Sequence, residues 1–152
     1  MTIELKYKKI HPNAQEPVYA TAGAACFDLF AASIDKYSYT IPGNPVVVGT
    51  GLQFEIPEGW VMNIYSRSGH GFKNAVRLAN CVGKIDSDYR GEVKVALTSD
   101  DVANIFPSLL VKVGDRIAQA ELVKLDRVSF VAAEALSETE RGTGGFGSTG
   151  AT

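Results

Sequence analysis

The acidic motif DSDYRG at residues 86–91 offers the clearest candidates for chemistry in the sequence. It begins like a calcium loop, but Arg90 and Leu97 stand where an EF-hand needs an oxygen ligand and a bidentate glutamate. One interpretation is a hairpin turn that exposes two acids. The alternative is that Asp86 orients a water molecule for attack on phosphorus, while Tyr89 packs flat against a sugar.

The glycine-rich segment RGTGGFGSTG at residues 141–150 is a second candidate. It matches the dinucleotide-binding pattern GxGxxG, but the residues after it offer neither a helix nor a ribose-binding acid. A flexible tail is one interpretation. The other is a lid over a nucleotide, because Arg141 can bind phosphate, Phe146 can stack on a base, and Ser148 and Thr149 can join glycine amides around anionic oxygens.

Two further motifs place polar groups at the ends of predicted strands. RSG at residues 67–69 follows an apolar strand at 60–65, and its guanidinium, hydroxyl and amides can contact phosphate from a short helical turn. GDRIAQ at residues 114–119 ends in Gln119, a further phosphate donor. Both motifs also suit ordinary surface turns, the second with its Asp–Arg pair fixing the bend.

The charge balance limits the partners of the protein. Fifteen Lys and Arg against seventeen Asp and Glu give a net charge of −2, so we expect no direct nucleic-acid binding and only local binding of anions. No apolar run approaches the roughly twenty residues of a membrane span, and the first residues lack the apolar stretch of a signal peptide. We expect no membrane association and a cytoplasmic protein, in the host cytoplasm if it is viral.

The two cysteines, Cys26 and Cys81, lie far apart and form no CxxC pair. That spacing argues against a disulfide framework and against a thiolate zinc site, and adding His11 and His70 matches no zinc pattern. We expect two buried free thiols.

The elements that must position these motifs are predicted to be strands. Apolar residues alternate with polar ones, or form short β-branched runs, near residues 3–7, 46–48, 52–56, 93–97, 109–113 and 117–125. No dozen residues keep a helical stripe, so helix is limited to one or two short turns. Short strands between Gly and Pro predict an all-β distorted jelly-roll barrel over residues 1–140, followed by a flexible Gly-rich lid at 141–152.

Taken together, the motifs resemble those of the trimeric dUTPase family, and the resemblance runs through nearly the whole chain. Five motifs in order at compatible spacing are strong evidence, and the fifth is nearly diagnostic. They are GAACFDL at 23–29, SRSG at 66–69, NCVG at 80–83 with IDSDYRGE at 85–92, GDRIAQ at 114–119 and RGTGGFGSTG at 141–150.

The resemblance implies a jelly-roll homotrimer that hydrolyses dUTP to dUMP and pyrophosphate, which limits uracil in DNA and supplies dUMP for dTMP synthesis. It implies Mg²⁺ held largely by the triphosphate, and sites that draw on all three chains. By the same resemblance, Asp86 orients and deprotonates the water that attacks the α-phosphorus. Asp28 reaches the metal through its water ligands.

The resemblance also implies which residues bind the substrate. Asn80, Val82 and Gly83 lie where the family reads uracil, and Tyr89 packs on the deoxyribose. Phe146 stacks on the base when the tail closes. The residues implied for the phosphates and the closing tail are Arg67, Ser68, Gly69, Gln119, Arg141, Gly144, Gly147, Ser148 and Thr149.

Two alternatives stay open. A dCTP deaminase shares the jelly roll and the trimer, but the RGTGGFGSTG segment argues against it. A nucleotide-gated regulator could present the segment 99–108 to a partner, although intact motifs favour catalysis. An additional regulatory protein partner has no support in the residues.

Overall fold

Short β-strands dominate the computed structural model, which describes residues 2–35, 45–100, 111–145 and 148. Within these ranges the chain forms ten strands and one helix. The strands are β1 (Lys6–Lys9), β2 (Phe27–Phe30), β3 (Ser33–Ile34), β4 (Val46–Gly49), β5 (Leu52–Glu55), β6 (Trp60–Tyr65), β7 (Val76–Leu78), β8 (Val82–Ile85), β9 (Lys94–Ser99) and β10 (Arg116–Lys124), and the helix is α1 (Ser68–Asn74).

The strands form two four-stranded sheets and one two-stranded pair, all antiparallel. One sheet has the order β2-β10-β6-β8, the other has the order β3-β4-β9-β7, and β1 pairs with β5. In the described part of the chain these sheets do not join into a closed barrel. The all-β jelly-roll prediction is confirmed in its two-sheet form.

One hydrophobic cluster packs against both large sheets. In the sheet β2-β10-β6-β8, Phe27, Ala120 and Ile64 lie side by side in register, and all three are buried in this cluster. Val48 and Val95 pair in the same way in the other sheet. Because side chains alternate across a strand, the residues between these apolar positions face the opposite side of the sheet.

The predicted strands near residues 46–48, 52–56, 93–97 and 117–125 are confirmed. The segment 109–113 differs, since its described residues 111–113 form no strand and lead into a turn at Gly114, whose φ is +94°. The first part of that segment, like most of 99–108, lies outside the described residues. The predicted boundary between 1–140 and 141–152 stays a prediction.

The expectation of two buried thiols is wrong. Cys26 is half-buried and Cys81 is exposed. Cys81 has a φ of 61° in the turn between β7 and β8, and this left-handed bend carries its side chain to the surface.

Helix α1 buries none of its residues and is the only helix in the described ranges. It ends at Ala75, whose left-handed φ of 52° turns its N–H back to the carbonyl oxygens of His70 and Gly71. In these ranges, no helix has the length and apolarity to cross a bilayer.

Candidate active site

A row of polar and half-exposed residues crosses the sheet β2-β10-β6-β8 on the side opposite the core. Asp28 pairs with Gln119, Gln119 pairs with Tyr65, and Tyr65 pairs with Val82. The strand register therefore brings together residues from motifs that are up to 91 positions apart in the sequence, from Asp28 to Gln119. This row carries three of the predicted site residues.

Asp28 holds two guanidinium groups at the end of this row. Its Oδ1 accepts a hydrogen bond from Arg67 Nε at 2.9 Å, and its Oδ2 accepts one from Arg116 Nη1 at 3.1 Å. The carboxylate is buried, with 7% of the residue exposed. Because each guanidinium has five N–H donors, both arginines keep donors for an anion after binding Asp28.

Helix α1 begins beside this cluster and is tied to it by side chains. Arg67 is the N-cap residue, and its Nη1 donates to the carbonyl oxygen of Arg116 at 3.3 Å. The same oxygen accepts from His70 Nε2 at 2.8 Å, and His70 Nδ1 is buried without a partner in the described structure. Ser68 and Gly69 in the first turn are exposed, and a Cβ on Gly69 would meet nothing within 4 Å.

Gln119 is hydrogen-bonded to Ser66, which lies between β6 and α1. Its Nε2 donates to the carbonyl oxygen of Ser66 at 3.0 Å, and the Ser66 hydroxyl accepts from the backbone N–H of Leu78 at 2.9 Å. These bonds hold the end of β6 against β7 and β10. The predicted phosphate-binding residues 67–69 and 119 therefore lie close together.

A chain of hydrogen bonds continues along the same side of the sheet. The Tyr65 hydroxyl donates to Glu121 Oε1 at 2.7 Å, and Asn63 links that hydroxyl, at 3.1 Å, to Lys84, whose Nζ lies 3.1 Å from Asn63 Oδ1. The hydrogen bond to Glu121, and secondly burial, raise the pKa of Tyr65, so it stays a neutral donor. Burial, followed by the charges of Glu121 and Asp28, raises the pKa of the Cys26 thiol.

Asp86 and Tyr89 lie on a tight turn after β8. The Tyr89 N–H donates to the Asp86 carbonyl oxygen at 3.2 Å, and Arg90 Nη1 donates to the carbonyl oxygens of Ser87 and Tyr89 at 2.7 and 3.0 Å. Asp86 is exposed, and 44% of Tyr89 is exposed. The turn presents both side chains to solvent. The prediction of a hairpin is wrong here, because the turn leads from β8 in one sheet to β9 in the other.

Clefts border Asp86 on two sides. One, of about 400 Å³, is lined by Lys84, Asp86, Tyr89 and neighbouring residues, and the other, of about 640 Å³, lies between Asp86 and Arg127. Neither cleft is lined by Asp28, Arg67 or Gln119. Within one chain, Asp86, the carboxylate predicted to orient water, therefore shares neither of these clefts with Arg67, Arg116 and Asp28, which we call the arginine cluster.

The predicted uracil-reading residues lie between the turn that carries Asp86 and the arginine cluster. Val82 is 41% exposed at the start of β8, and its N–H donates to the Asn80 carbonyl oxygen at 2.7 Å. A Cβ on Gly83 would meet Ile64 at 3.3 Å, so the glycine lets β8 lie close against β6. From Val82 to Asp86 the chain runs four residues, about 13 Å along an extended strand.

Only part of the glycine-rich tail is described. Arg141 Nε donates to the Gly144 carbonyl oxygen at 2.9 Å, and the Ser148 N–H donates to the Gly145 carbonyl oxygen at 3.0 Å. Among the described tail residues, these bonds and those of Gly142 join partners between positions 139 and 148. The predictions for Phe146, Gly147 and Thr149 lie outside the described residues.

Sequence reasoning missed Arg116 and Glu92. The sequence suggested that Arg116 pairs with Asp115 in a turn, but it pairs with Asp28, while Asp115 Oδ2 accepts from the Lys112 N–H at 2.8 Å. No local pattern could reveal a partner 88 positions away. Glu92, inside the third motif, accepts from the Gly51 N–H at 2.9 Å.

The donor groups of the described residues test whether the chain itself could hold a metal. No group of three or more His, Cys, Asp or Glu that could bind an ion occurs in the described ranges. Both oxygens of Asp28 already accept from guanidinium groups. This fits contact with a metal through water better than direct coordination.

Comparisons with known proteins show the family of this chain. A family profile for dUTPase matches residues 12–150. Deoxyuridine 5'-triphosphate nucleotidohydrolase of Nautilia profundicola is 43% identical over 148 residues, covering 97% of this chain and 99% of that protein.

Solved dUTPase structures share the fold. One, from Staphylococcus bacteriophage 80alpha with bound dUpNHpp, is 27% identical, has a TM-score of 0.81 and covers 98% of this chain and 99% of its own. Another, from phage phi11 of S. aureus with a structural Mg(II) ion, is 22% identical, has a TM-score of 0.71 and covers 88% of this chain and 98% of its own. With the profile spanning most of its length, the chain belongs to the dUTPase family.

Proposed function

We propose that this protein hydrolyses dUTP to dUMP and pyrophosphate by attack of water on the α-phosphorus. The observation that carries this proposal is the exposed Asp86–Tyr89 turn within a chain that the dUTPase profile matches from residue 12 to 150. Such an activity limits uracil in DNA and supplies dUMP for dTMP synthesis. The cytoplasmic location expected from the sequence stays a prediction.

The arginine cluster is suited to hold the triphosphate. Arg67 and Arg116 keep free N–H donors beside the buried Asp28, and the exposed hydroxyl and amides at 68–69 lie in the adjacent first turn of α1. Charge-assisted N–H···O bonds to phosphate are stronger than neutral ones. Gln119 adds an amide next to this cluster.

Asp86 is suited to orient and deprotonate the attacking water. Its carboxylate stands at the tip of a hydrogen-bonded turn, and its neighbour Tyr89 offers a partly exposed ring for the deoxyribose. Holding water and sugar on one rigid turn fixes the distance between nucleophile and phosphorus, and positioning of this kind supplies much of the rate in phosphoryl transfer.

Mg²⁺ is the cofactor we propose, carried mainly by the triphosphate. When bound, it neutralises charge on the phosphate oxygens. Asp28 would reach it through water, because its two oxygens are engaged by Arg67 and Arg116. The arginines would add their own positive charge to the same phosphates.

We also propose that the sites are shared between chains of a homotrimer. The separation between the Asp86 turn and the arginine cluster supports this, since neither cleft at Asp86 includes that cluster. A second support is the segment 125–140, which is exposed throughout. It contains Phe130 and Leu136, which are 93% and 88% exposed. Large apolar side chains that are this exposed on one segment favour contact with another chain. Light scattering of active enzyme at the monomer mass would contradict the trimer.

Tyr89→Ala is expected to weaken discrimination against UTP. UTP differs from dUTP by one hydroxyl, and an apolar pocket alone rejects an added hydroxyl by only about a hundredfold, so a rigid ring that blocks the 2′ position is needed. We expect the ratio of UTP to dUTP kcat/KM to rise by about tenfold or more, with slower dUTP turnover. Steady-state kinetics with both nucleotides measure it.

Tyr89→Phe is the matched control for this prediction. The ring that blocks the 2′ position remains, and the lost bond is the one from its hydroxyl to the Glu92 carbonyl oxygen, so the ratio should rise less than in Tyr89→Ala. An unchanged ratio in Tyr89→Ala, with melting temperature and assembly intact, would show that the sugar is read elsewhere.

Incubation with each of the four standard dNTPs, dUTP and Mg²⁺ tests the proposed function. We expect monophosphate and pyrophosphate from dUTP alone. Equal turnover of dTTP or dCTP would contradict the proposal, and release of ammonia from dCTP would identify the deaminase alternative instead.

A further inference from the structure

The carboxylate of Glu92 is hydrogen-bonded to the turn between β4 and β5. Its Oε1 accepts a hydrogen bond from the Gly51 N–H at 2.9 Å, and its side chain is 20% exposed. Space for it exists because residue 49 is glycine, where a Cβ would stand 2.5 Å from Glu92 Oε1. Gly51 has a φ of 67°, so this turn depends on glycine for its conformation as well.

The backbone carbonyl of Glu92 is hydrogen-bonded to the turn that carries Asp86 and Tyr89. Its carbonyl oxygen accepts from the Tyr89 hydroxyl at 3.0 Å, and the Tyr89 N–H donates to the Asp86 carbonyl oxygen. Gly91 leaves room for this bond, because a Cβ there would stand in conflict with the Tyr89 hydroxyl. Glu92 therefore connects the β4–β5 turn to the Tyr89 side chain and, through the Tyr89 backbone, to the carbonyl oxygen of Asp86.

The residues on either side of the contact between Glu92 and Gly51 are buried and joined by hydrogen bonds. Thr50 donates to the Val93 carbonyl oxygen through both its hydroxyl, at 2.7 Å, and its N–H, at 3.1 Å, while the Val93 N–H donates to the Leu52 carbonyl oxygen at 2.8 Å. Thr50 and Val93 are fully or almost fully buried. A group fixed to these buried residues can hold an exposed turn in place, because buried, paired backbone rarely opens.

We infer that Glu92 is a positioning residue that orients the Asp86–Tyr89 turn, and thereby sets the discrimination between deoxyribose and ribose. This inference rests on the proposed function for its effect on substrates. The acceptor oxygen of Glu92 carries the role rather than its charge. The pair of its Oε2 with Lys94 Nζ is long, at 3.4 Å, and Lys94 is 55% exposed, so that ion pair contributes little.

Two conservative variants of Glu92 separate the effect of side-chain length from the effect of its negative charge. Glu92→Gln keeps an acceptor oxygen at the same distance, and we expect its UTP to dUTP ratio of kcat/KM to stay within about twofold of wild type. Glu92→Asp keeps the charge but is one methylene too short to reach Gly51, so we expect the ratio to rise by about fivefold, the effect of losing one ordinary hydrogen bond, with a lower kcat for dUTP.

A matched control is Glu55→Ala, which removes a glutamate whose carboxylate joins Lys6 in an exposed ion pair at 3.0 Å. Its ratio should equal that of wild type. Melting curves of Glu92→Gln and Glu92→Asp show whether both variants fold, and if Glu92→Asp does not, Gly49→Ala displaces the same carboxylate and should raise the ratio in the same direction.

Hydrogen exchange gives a readout that needs no turnover. The Gly51 amide should exchange faster in Glu92→Asp and as in wild type in Glu92→Gln, and the Tyr89 ring signal in NMR spectra should shift only in Glu92→Asp. If wild type failed to hydrolyse dUTP while these signals changed as expected, the proposed function would fall and the positioning role would stand. A wild-type ratio in Glu92→Asp, or an equal rise in Glu92→Gln, would overturn the inference.

Discussion

Asp86→Asn is expected to lower kcat for dUTP by roughly two to four orders of magnitude, the range that a positioned general base contributes. The amide keeps the shape of the side chain but lacks the negative charge that orients and deprotonates water. The side chain is exposed at the turn tip, so the fold should not depend on it. Single-turnover kinetics and titration with a non-hydrolysable dUTP analogue measure chemistry and binding separately.

Asp88→Asn is the matched control, because Asp88 is an exposed aspartate on the same turn, two residues away. Its kcat should stay near that of wild type. Near-normal turnover in Asp86→Asn, or an equal loss in both variants, would remove Asp86 from the proposed role.

Deletion of residues 141–152 is expected to lower kcat/KM by about a hundredfold or more, because misplacement of a substrate by a small distance has effects of this size. The tail was predicted to close over the nucleotide through Arg141, glycine amides and hydroxyls. The described part of the tail is exposed or half-exposed and forms hydrogen bonds within its own turns, so its removal should leave Tm within about 2 °C. Calorimetry and steady-state kinetics on the same preparation measure both, and a large drop in Tm would contradict the lid.

Mixing the truncated chain with the Asp86→Asn chain tests whether sites are shared. If Asp86 and the tail of one site come from different chains, random exchange should leave about a quarter of the sites with both parts intact. Each protein alone should stay nearly inactive. Absence of recovered activity, after mass spectrometry has proved that subunits exchange, would count against shared sites.

The sequence allowed most of the sheet strands and the turn at Asp86–Tyr89 to be predicted, because both depend on local patterns. Alternating apolar residues near 52–56 and 93–97 do form strands, and the Asp86–Tyr89 segment does form a turn. The short helical turn predicted at 67–69 extends to the seven-residue α1. Local patterns sufficed here because turns and strands are determined mainly by neighbouring residues.

Long-range contacts could not be predicted in the same way. The bond between Arg116 and Asp28 depends on the register of β10 against β2, which includes a shift between Arg116 and Ala118. The exposure of Cys81 depends on a left-handed turn that cysteine seldom adopts. The hydrogen bond between Glu92 and Gly51 could not be predicted either, because the two residues are 41 positions apart and meet only in the folded chain.

Hydrolysis of dUTP in H₂¹⁸O, with mass spectrometry of both products, tests the central claim most directly. If Asp86 directs water to the α-phosphorus, dUMP and pyrophosphate form in equal amounts and the ¹⁸O label enters dUMP. Label in pyrophosphate, formation of dUDP and inorganic phosphate, or no hydrolysis of dUTP would contradict the account.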